Sequence, residues 1–244
     1  MIPKIIHYCW FGEKELSKDA KMYINSWHAL CPGYKIIEWN ETNFDIKTVP
    51  YVREAYEQKK WAFVSDYVRL YALKKYGGIY LDTDVEVIKS LDPFLYNKAF
   101  IGAESKYSIC TAVIGAERNT PFIDELLGLY DDIHFINQRE IDLTPNSQRI
   151  FKYLETVYNY KDADMPIHWN NCTLYPKDYF SPINCYTYKK EITVNTHCIH
   201  RFAGTWKNRN ELYSNKIKAF ITRIIGEDCR NILKKKFVAK EKNI

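Results

Sequence analysis

The stretch GGIYLDTDVEVI, residues 77–88, places two aspartates directly after a short apolar strand. Side chains two residues apart on an extended backbone point the same way, so Asp82 and Asp84 can address one ion while Thr83 faces away. Two carboxylates favour Mg²⁺ or Mn²⁺, which usually complete their coordination with water and with phosphate oxygens of a substrate. Because an aspartate pair is also common at an ordinary polar strand end, the flanking segments must decide between these interpretations.

Strand-like and helix-like segments alternate before this stretch. Residues 4–10 and 34–39 are predicted as buried strands, and residues 17–30 as an amphipathic helix that stops before a Pro-Gly pair. A further helix then leads into the strand 79–81, which ends at the aspartates. This alternation predicts an α/β fold with a Rossmann-like, mainly parallel sheet flanked by helices, and a ligand site beyond the carboxyl ends of the strands.

The helix that leads into the aspartates carries a second pair of charges. Its sequence, SDYVRLYALKKYGG, predicts Ser65 as the N-cap and Gly77 as the C-cap. Asp66 and Arg69 are three residues apart and therefore share a helical face, near the helix end that favours anions. Arg69 could bind a diphosphate while Asp66 accepts a ribose hydroxyl. A plain surface ion pair is the alternative interpretation.

Length and composition limit the organisation of the chain. Its 244 residues, 46% of them hydrophobic, suit one large α/β domain, which we assign to residues 1–226. The seven cysteines contain no C-x-x-C pair, so we expect reduced thiols in the core, with neither a disulfide framework nor a zinc site. With no apolar run of membrane-spanning length and no signal-peptide pattern, the chain is expected to be cytoplasmic.

The positive charge is concentrated in the C-terminal segment. From Lys207 to the end there are eleven Lys or Arg and four Asp or Glu, a net charge of +7 on a chain whose total is +5. The rest of the chain contains no recognised nucleic-acid motif, so the expectation is an anionic membrane surface and no nucleic acid. We predict a basic tail at 227–244 that makes a peripheral contact with the inner face of the cytoplasmic membrane. An apolar stripe just before it could contact the membrane or pack on the domain, and comprises Ile217, Phe220, Ile221, Ile224 and Ile225.

Three segments together resemble one known enzyme family. They are IPKIIHYCWFG (2–12), FVSDYVRLYALKKYGGIYLDTDVEVIKSLDPF (63–94) and HCIHRFAGTWK (197–207). In combination they are similar to glycosyltransferase family 32, the glycosyltransferases with a DXD sugar-binding region. That family includes yeast-type initiating mannosyltransferases and bacterial capsule and surface-polysaccharide enzymes, and the large clostridial glucosylating toxins are distant relatives. The resemblance implies a GT-A fold, a divalent metal (Mn²⁺ or Mg²⁺), a nucleotide-sugar donor and retention of anomeric configuration.

The resemblance also implies roles for the matching residues. Asp66 and Arg69 fall where the family binds donor hydroxyls and the diphosphate. Asp84 takes the metal, and Asp82 divides its contacts between the metal and the ribose or sugar. Tyr80 matches an aromatic residue that precedes the motif, although a buried strand tyrosine is an equal alternative. Asp82, Asp84 and Arg69 are the predicted catalytic residues.

Two tryptophan-containing segments complete the predicted site. Trp10 ends the first strand, where its indole could stack on the nucleobase, whereas His7 in that strand is interpreted as a core histidine. In the third segment His200 is the favoured third metal ligand and His197 the rival. After His200, a turn of Gly204, Thr205 and Trp206 would close over the diphosphate. Lys207 and Arg209 could neutralise the charge of the leaving diphosphate, and a solvated basic helix start is the equal alternative.

These residues predict a metal-dependent hexosyltransferase, and the family resemblance implies that it is retaining. The favoured donors are UDP-galactose and UDP-glucose, with GDP-mannose as the alternative. The acceptor is a saccharide of capsular or other surface polysaccharide that could be carried on a lipid. Asp142, Asn146 and Gln148 are candidates for sugar or acceptor contacts near a helix start, where Asn146 could instead be a cap. A sugar nucleotidyltransferase is one alternative, although its glycine-rich basic loop is missing. A non-catalytic carbohydrate-binding protein is another, favoured by 20 Tyr, 12 Phe and 6 Trp.

Overall fold

The computed structural model describes residues 1–137, 140–162, 164–184, 186–204, 219, 221–226 and 229. Within these residues the strands are β1 (Ile5–Cys9), β2 (Lys35–Trp39), β3 (Gly78–Leu81), β4 (Val85–Val87), β5 (Ala99–Ser105), β6 (Ser108–Ala116), β7 (Ile136–Asn137), β8 (Glu140–Ile141), β9 (Ile167–His168), β10 (Thr173–Tyr175) and β11 (Cys198–His200). The α-helices are α1 (Lys18–Leu30), α2 (Pro50–Glu57), α3 (Trp61–Tyr76), α4 (Pro121–Gly128), α5 (Asn146–Val157) and α6 (Lys177–Phe180). Two short 3-10 helices cover Ile46–Thr48 and Asp92–Phe94.

The central sheet has seven strands in the order β2-β1-β3-β6-β5-β10-β9. β1 is parallel to both β2 and β3, whereas β6 runs antiparallel to β3 and β5. β5 is parallel to β10, and β9 is antiparallel to β10. Five of the seven strands therefore point the same way, so the carboxyl ends of β1, β2 and β3 meet at one edge. The third strand of the sheet, β3, is the one that ends at the aspartates.

Apolar side chains cover both faces of this sheet. Successive residues of β3 alternate: Tyr80 packs with α2, α3, α4 and α5, whereas Ile79 and Leu81 pack with α1 and α6. Every residue of β5 and β6 is buried. Burial on both faces explains why these strands are continuous apolar runs. The predicted α/β class, with a Rossmann-like, mainly parallel sheet between helices, is confirmed, and the aspartate pair follows a strand end.

The helix before the aspartates begins one turn earlier than the sequence predicted. α3 starts at Trp61, and Ser65 lies inside it, where its Oγ donates to the Trp61 carbonyl at 3.0 Å. The prediction of Ser65 as N-cap was therefore wrong, because Trp61 and Phe63 pack against the core and extend the helix toward the N-terminus. Asp66 and Arg69 consequently lie beyond the first turn, and the helix N-terminus does not favour an anion at them.

The C-terminus of α3 agrees with the sequence. Gly77 adopts φ +65°, and its N–H donates to the Leu73 carbonyl at 2.8 Å. A β-carbon there would lie 2.8 Å from the backbone nitrogen of Arg118, so glycine satisfies both the left-handed backbone and the close packing. The chain turns directly into β3, which fixes where Asp82 and Asp84 emerge.

The remaining features of the fold concern the cysteines, the segment before His200 and the lengths of the helices. The cysteines among the described residues are all free, and those before position 200 are buried. The segment before His200 turns at 194–195, and its only extended part is the strand Cys198–His200. Among the helices in the described part of the chain, none combines the length and apolar composition that a membrane span requires.

Candidate metal and donor site

Asp82 follows the carboxyl end of β3 and contacts one side chain of β3 and one of the adjacent helix α3. Its backbone N–H donates to the Ala112 carbonyl at 2.9 Å, which continues the β3–β6 pairing one residue past the strand. Its Oδ1 accepts a hydrogen bond from the Tyr80 hydroxyl at 2.8 Å and lies 3.3 Å from Nη2 of Arg69. About a quarter of its side chain, 27%, remains exposed, so this carboxylate is held in place and still reaches solvent.

Asp84 is held from the other side, by the segment that follows β11. Its Oδ2 accepts from the Ala203 N–H at 2.9 Å, and its backbone carbonyl accepts from the Arg201 N–H at 3.0 Å. Its Oδ1 lies 3.4 Å from Nε2 of His200. Burial acts to raise the pKa of Asp84, but the interaction with His200 outweighs it, and the pKa is lowered from its usual value.

His200 is brought to the aspartates by strand pairing. β11 is antiparallel to β4, and this pairing places His200 opposite Val85, next to Asp84 in the chain. Burial acts to lower the pKa of His200, but Asp84 outweighs it and raises the pKa well above the usual range. Its Nδ1 lies 3.3 Å from Oε1 of Glu104. The rival, His197, donates from Nδ1 to the Ser90 carbonyl at 2.7 Å and packs on the Phe94 ring.

The side chains of the two aspartates and His200 fit a divalent cation. Asp82, Asp84 and His200 each offer one ligand atom, and the three atoms lie within 4.8 Å of one another. Two carboxylates and one imidazole form a mixed oxygen and nitrogen set that suits Mn²⁺ and leaves positions for substrate oxygens. The structure therefore brings the three predicted metal residues together, although two of them are more than 110 positions from the third in the sequence.

Arg69 is the centre of a buried charge network beneath the aspartates. Its Nη2 lies 2.9 Å from Asp66 and 3.3 Å from Asp82, and its Nη1 donates to the Thr111 carbonyl at 2.6 Å. Its guanidinium also stands over the Tyr80 ring, 4.6 Å from the ring centroid. Only 4% of Arg69 is exposed. The surface ion pair that the sequence left open is thus excluded, because the pair is buried and shares Asp82.

Asp66 is buried in the same network. Burial raises its pKa to about 6, a shift that the nearby Arg69 only partly offsets. Its Oδ2 accepts from the backbone N–H of Asn146 at 3.2 Å, and its carbonyl accepts from the Asn146 side-chain amide at 3.2 Å. These two bonds dock the first turn of α5 on α3. Asn146 is the first helical residue, and Pro145 occupies the cap position, so Asn146 does not cap α5.

The remaining predicted residues are placed as follows. Tyr80 is 1% exposed, as a buried strand tyrosine would be, and its hydroxyl also bonds Asp82. Trp10 follows β1 at the same sheet edge as Asp82; it is half-buried, and its indole N–H donates to the Lys14 carbonyl. His7 is fully buried, with Nε2 2.8 Å from the Gly77 carbonyl, as a core histidine. Thr205, Trp206, Lys207 and Arg209 lie outside the described residues.

The loop before α5 includes two further candidates. Asp142 lies 2.6 Å from Nη2 of Arg149 and accepts from the Thr144 N–H at 2.9 Å. Gln148 is half-buried in the first turn of α5. Through Asn146 this loop is fixed to Asp66, so the candidate sugar contacts adjoin the charge network.

Glu104 was missed by the sequence reasoning. It lies in the fully buried strand β5, is 8% exposed, and contacts His200. A single glutamate within the otherwise apolar run AFIGAES was the available signal, because a carboxylate in such a strand needs a partner.

Comparison with known proteins gives a family match in the segment that contains the motif. Residues 17–101 match the family model described as a glycosyltransferase sugar-binding region containing a DXD motif. The chain is 32% identical over 126 residues to inositol phosphoceramide mannosyltransferase 3 of Schizosaccharomyces pombe, an alignment that covers 50% of this chain and 35% of that protein. The chain thus spans about a third of that relative's length.

Two further matches extend over most of the chain. An uncharacterized glycosyltransferase of Acanthamoeba polyphaga mimivirus is 27% identical over 241 residues, which covers 91% of this chain and 92% of the relative. A solved glycosyltransferase involved in glycosylation of the major capsid of PBCV-1 has a TM-score of 0.47 and 11% identity, and covers 88% of this chain and 99% of its own.

Proposed function

We propose that this chain, whose residues 17–101 match the model of a glycosyltransferase sugar-binding region containing a DXD motif, is a metal-dependent, retaining enzyme that moves a hexose from a nucleotide sugar to a saccharide acceptor. One observation carries the proposal. Asp82, Asp84 and His200, which come from two distant segments, offer donor atoms within 4.8 Å of one another beside a buried arginine. A polar strand end without a function would not require this convergence.

Asp82, Asp84 and His200 would hold Mn²⁺ or Mg²⁺. A bound divalent ion supplies positive charge that stabilises the negative charge developing on a departing diphosphate. Asp84 is proposed as a direct ligand because its carboxylate faces His200, and Asp82 as a residue that also serves the donor because it is tied to Arg69. The chain's own contribution is to hold three ligands in fixed orientation before the donor arrives.

The donor would lie across the carboxyl edge of β1 and β3. Trp10 would stack on the nucleobase, and Asp66 would accept a hydrogen bond from a ribose or sugar hydroxyl. Arg69 would favour the diphosphate by its charge, and would also hold Asp66 and Asp82 in place. The proposal assigns Trp206 and Lys207 to the diphosphate, and Asp142, Asn146 and Gln148 to the sugar or acceptor.

The donor's identity is the finer part of the proposal. The sequence favours UDP-galactose or UDP-glucose, whereas the name of the fission-yeast relative, a mannosyltransferase, favours GDP-mannose. An indole that stacks on the base does not distinguish uracil from guanine by hydrogen bonding. We therefore propose a nucleoside-diphosphate hexose and leave the base to direct measurement.

A donor-hydrolysis screen tests the reaction class. The full chain is incubated with UDP-galactose, UDP-glucose or GDP-mannose and Mn²⁺, and release of the nucleoside diphosphate is measured with and without EDTA. We expect slow, EDTA-sensitive hydrolysis of one donor. Pyrophosphate-dependent exchange would instead identify a nucleotidyltransferase, and binding of saccharides without any turnover would identify a carbohydrate-binding protein.

The acceptor is proposed to be lipid-linked saccharide of a surface polysaccharide, reached at the inner face of the cytoplasmic membrane. In the stripe before the tail, Ile221 and Ile224 are 47% and 71% exposed and Ile225 is half-buried, so part of this stripe faces solvent. Ile217 and Phe220 of that stripe, like nearly all of the tail 227–244, lie outside the described residues. An exposed apolar pair followed by a basic segment supports a peripheral membrane contact.

Vesicle co-sedimentation tests this contact with the full chain. Replacing Lys234, Lys235 and Lys236 by Gln should weaken binding to anionic vesicles at low salt, since each lysine near the surface contributes about 1 kcal/mol. A matched variant replaces three exposed lysines elsewhere, at positions 47, 59 and 161. Equal loss in both variants, or no binding by the wild type, would contradict the tail as the anchor.

A further inference from the structure

Glu104 is a buried carboxylate beside the proposed metal ligands. It belongs to β5, in which every residue is buried, and only 8% of its surface is exposed. A charged side chain in such a strand is costly unless its oxygens have partners. The register between β5 and β6 shifts between Ala103 and Ser105, so the glutamate sits at an irregularity in the sheet. Such irregularities often redirect a side chain next to an active site.

Both oxygens of Glu104 have partners. Oε2 accepts from the Ser108 hydroxyl at 3.0 Å, and Oε1 lies 3.3 Å from Nδ1 of His200. Because the carboxylate can only accept, the hydrogen in the second contact must be on Nδ1 of the imidazole. Ser108 lies at the start of β6, across the short β5–β6 turn, and therefore anchors Glu104 on the side away from His200.

The opposite nitrogen of His200 faces the aspartates. Nε2 lies 3.4 Å from Oδ1 of Asp84. A neutral imidazole carries one hydrogen, and if Nδ1 holds it for Glu104, the lone pair of Nε2 is free for a cation. A histidine ligand typically donates its second N–H to a carboxylate, which fixes both its tautomer and its ring orientation.

Cys110 also lies close to this pair and would be the third ligand of a separate metal site. The ligand atoms of Glu104, Cys110 and His200 lie within 4.8 Å of one another. However, Cys110 is fully buried, whereas both oxygens of Glu104 already have partners in Ser108 and His200. The geometry favours Glu104 as the partner of His200 over a separate metal site.

We propose that Glu104 is a positioning residue that fixes the imidazole of His200, with Nδ1–H on Glu104 and Nε2 directed at Asp82 and Asp84. This inference rests on the proposed metal site and adds a residue outside the motifs that define it. Glu104 would act only through His200. Removal of the Glu104 carboxylate should therefore weaken metal binding only when His200 is present.

Mn²⁺ titration of the full chain, by calorimetry or by electron paramagnetic resonance, tests the proposal. Glu104→Leu removes the acceptor and should weaken Mn²⁺ affinity about tenfold or more, as removal of such partners does elsewhere. Glu104→Gln keeps an acceptor oxygen without the charge and should retain most of the affinity. Glu125→Gln, at a carboxylate that accepts bonds from two tyrosines, is the matched control and should not change it. A Gln variant as weak as the Leu variant would overturn positioning and indicate a simple charge effect.

A double-mutant cycle separates the roles of the two residues. In a His200→Ala background, Glu104→Leu should cause no further loss of Mn²⁺ affinity. An equal loss in both backgrounds would overturn the proposal, because Glu104 would then act without the histidine. If His200→Ala itself keeps the wild-type affinity, both the metal role of His200 and this inference fail. If His200→Ala weakens binding while Glu104→Leu does not, only this inference fails.

The tautomer of His200 gives a readout that needs no variant at Glu104. Nitrogen-15 NMR of histidine-labelled wild-type protein with saturating Mg²⁺, a diamagnetic substitute for Mn²⁺, should find the hydrogen on Nδ1 and none on Nε2. A hydrogen on Nε2 with none on Nδ1 would overturn the proposal. Thermal unfolding in metal-free buffer shows whether Glu104→Leu folds. If it does not fold, the NMR measurement on the wild-type protein still tests the proposal.

Discussion

The two aspartates of the D-x-D motif are separated by a single residue, but different parts of the molecule hold them. Asp82 contacts Arg69 and Tyr80, which come from the helix and strand just before it. Asp84 contacts His200 and the Ala203 N–H, more than 110 positions later in the chain. The partner of Asp82 carries a permanent charge, whereas the partner of Asp84 is a histidine that can release its proton and bind a cation.

This difference suggests a division of labour between the two sides. The Asp82 side is a buried frame made of α3 and β3, in which Arg69 contacts Asp66, Asp82 and the Thr111 carbonyl. The Asp84 side depends on the pairing of β4 with β11, and its histidine contributes a possible ligand. We therefore expect changes on the Asp84 side to act on metal binding and turnover, and changes on the Asp82 side to act first on stability.

Asp84→Ala should have the largest effect on turnover. Loss of a direct ligand should reduce donor hydrolysis about a thousandfold, equivalent to about 4 kcal/mol of transition-state stabilisation. The fold should persist, because the rest of the β4–β11 pairing remains. Donor hydrolysis with Mn²⁺ and circular dichroism check both statements, with the exposed Asp19→Ala as control. If the Asp84→Ala variant is as active as the wild type, the proposed difference in role between Asp82 and Asp84 is contradicted.

Arg69→Met should have the largest effect on stability. The change leaves the carboxylates of Asp66 and Asp82 without their buried cation, and breaking such a pair costs about 3–5 kcal/mol. Urea unfolding in metal-free buffer measures the loss. Arg53→Met, at a half-exposed arginine beside Glu54, should cost less than about 1 kcal/mol. Similar losses in the two variants would contradict a buried frame around Asp82.

Asp66→Asn tests whether the pKa of Asp66 is raised in this buried frame, by comparing the stability of the variant and the wild type at two pH values. The pKa of Asp66 is raised to about 6 in the folded protein, so its contribution to stability is present below its usual pKa near 4 and is lost as pH rises through about 6. Relative to the wild type, the Asn variant should therefore be more stable at pH 7 than at pH 4 by up to about 3 kcal/mol. Urea unfolding at the two pH values measures this difference. A pH-independent difference would mean that Asp66 titrates normally.

Trp10→Ala should have the smallest effect, and this effect should be confined to nucleotide affinity. Losing a stacking partner should weaken UDP or GDP binding by about 1–3 kcal/mol without changing Mn²⁺ affinity. Calorimetry at saturating Mn²⁺ makes the comparison, and Tyr96→Ala, at a tyrosine that is 83% exposed, is the control. Unchanged nucleotide affinity would assign Trp10 to packing alone.

Some parts of the site could be predicted from sequence and others could not. Asp82 and Asp84 were identified because period-two geometry at a strand end is a local property. The cap at Ser65 was wrong because apolar packing of Trp61 and Phe63 extends α3 beyond the pattern. Glu104 was missed because no local rule says which buried carboxylate will face a histidine 96 positions away.

By itself, the sequence determined the order of β1, α1 and β2, the end of α3 at Gly77, and the pair of carboxylates after β3. These depend on backbone conformations and on side-chain periodicity within a few residues, which the local sequence controls. Only the tertiary structure decided that Arg69 is buried between Asp66 and Asp82, that Asn146 docks on Asp66, and that His200 stands between Asp84 and Glu104. Those contacts join residues far apart in the chain, and their geometry and charge states follow from sheet pairing and burial that no short segment contains.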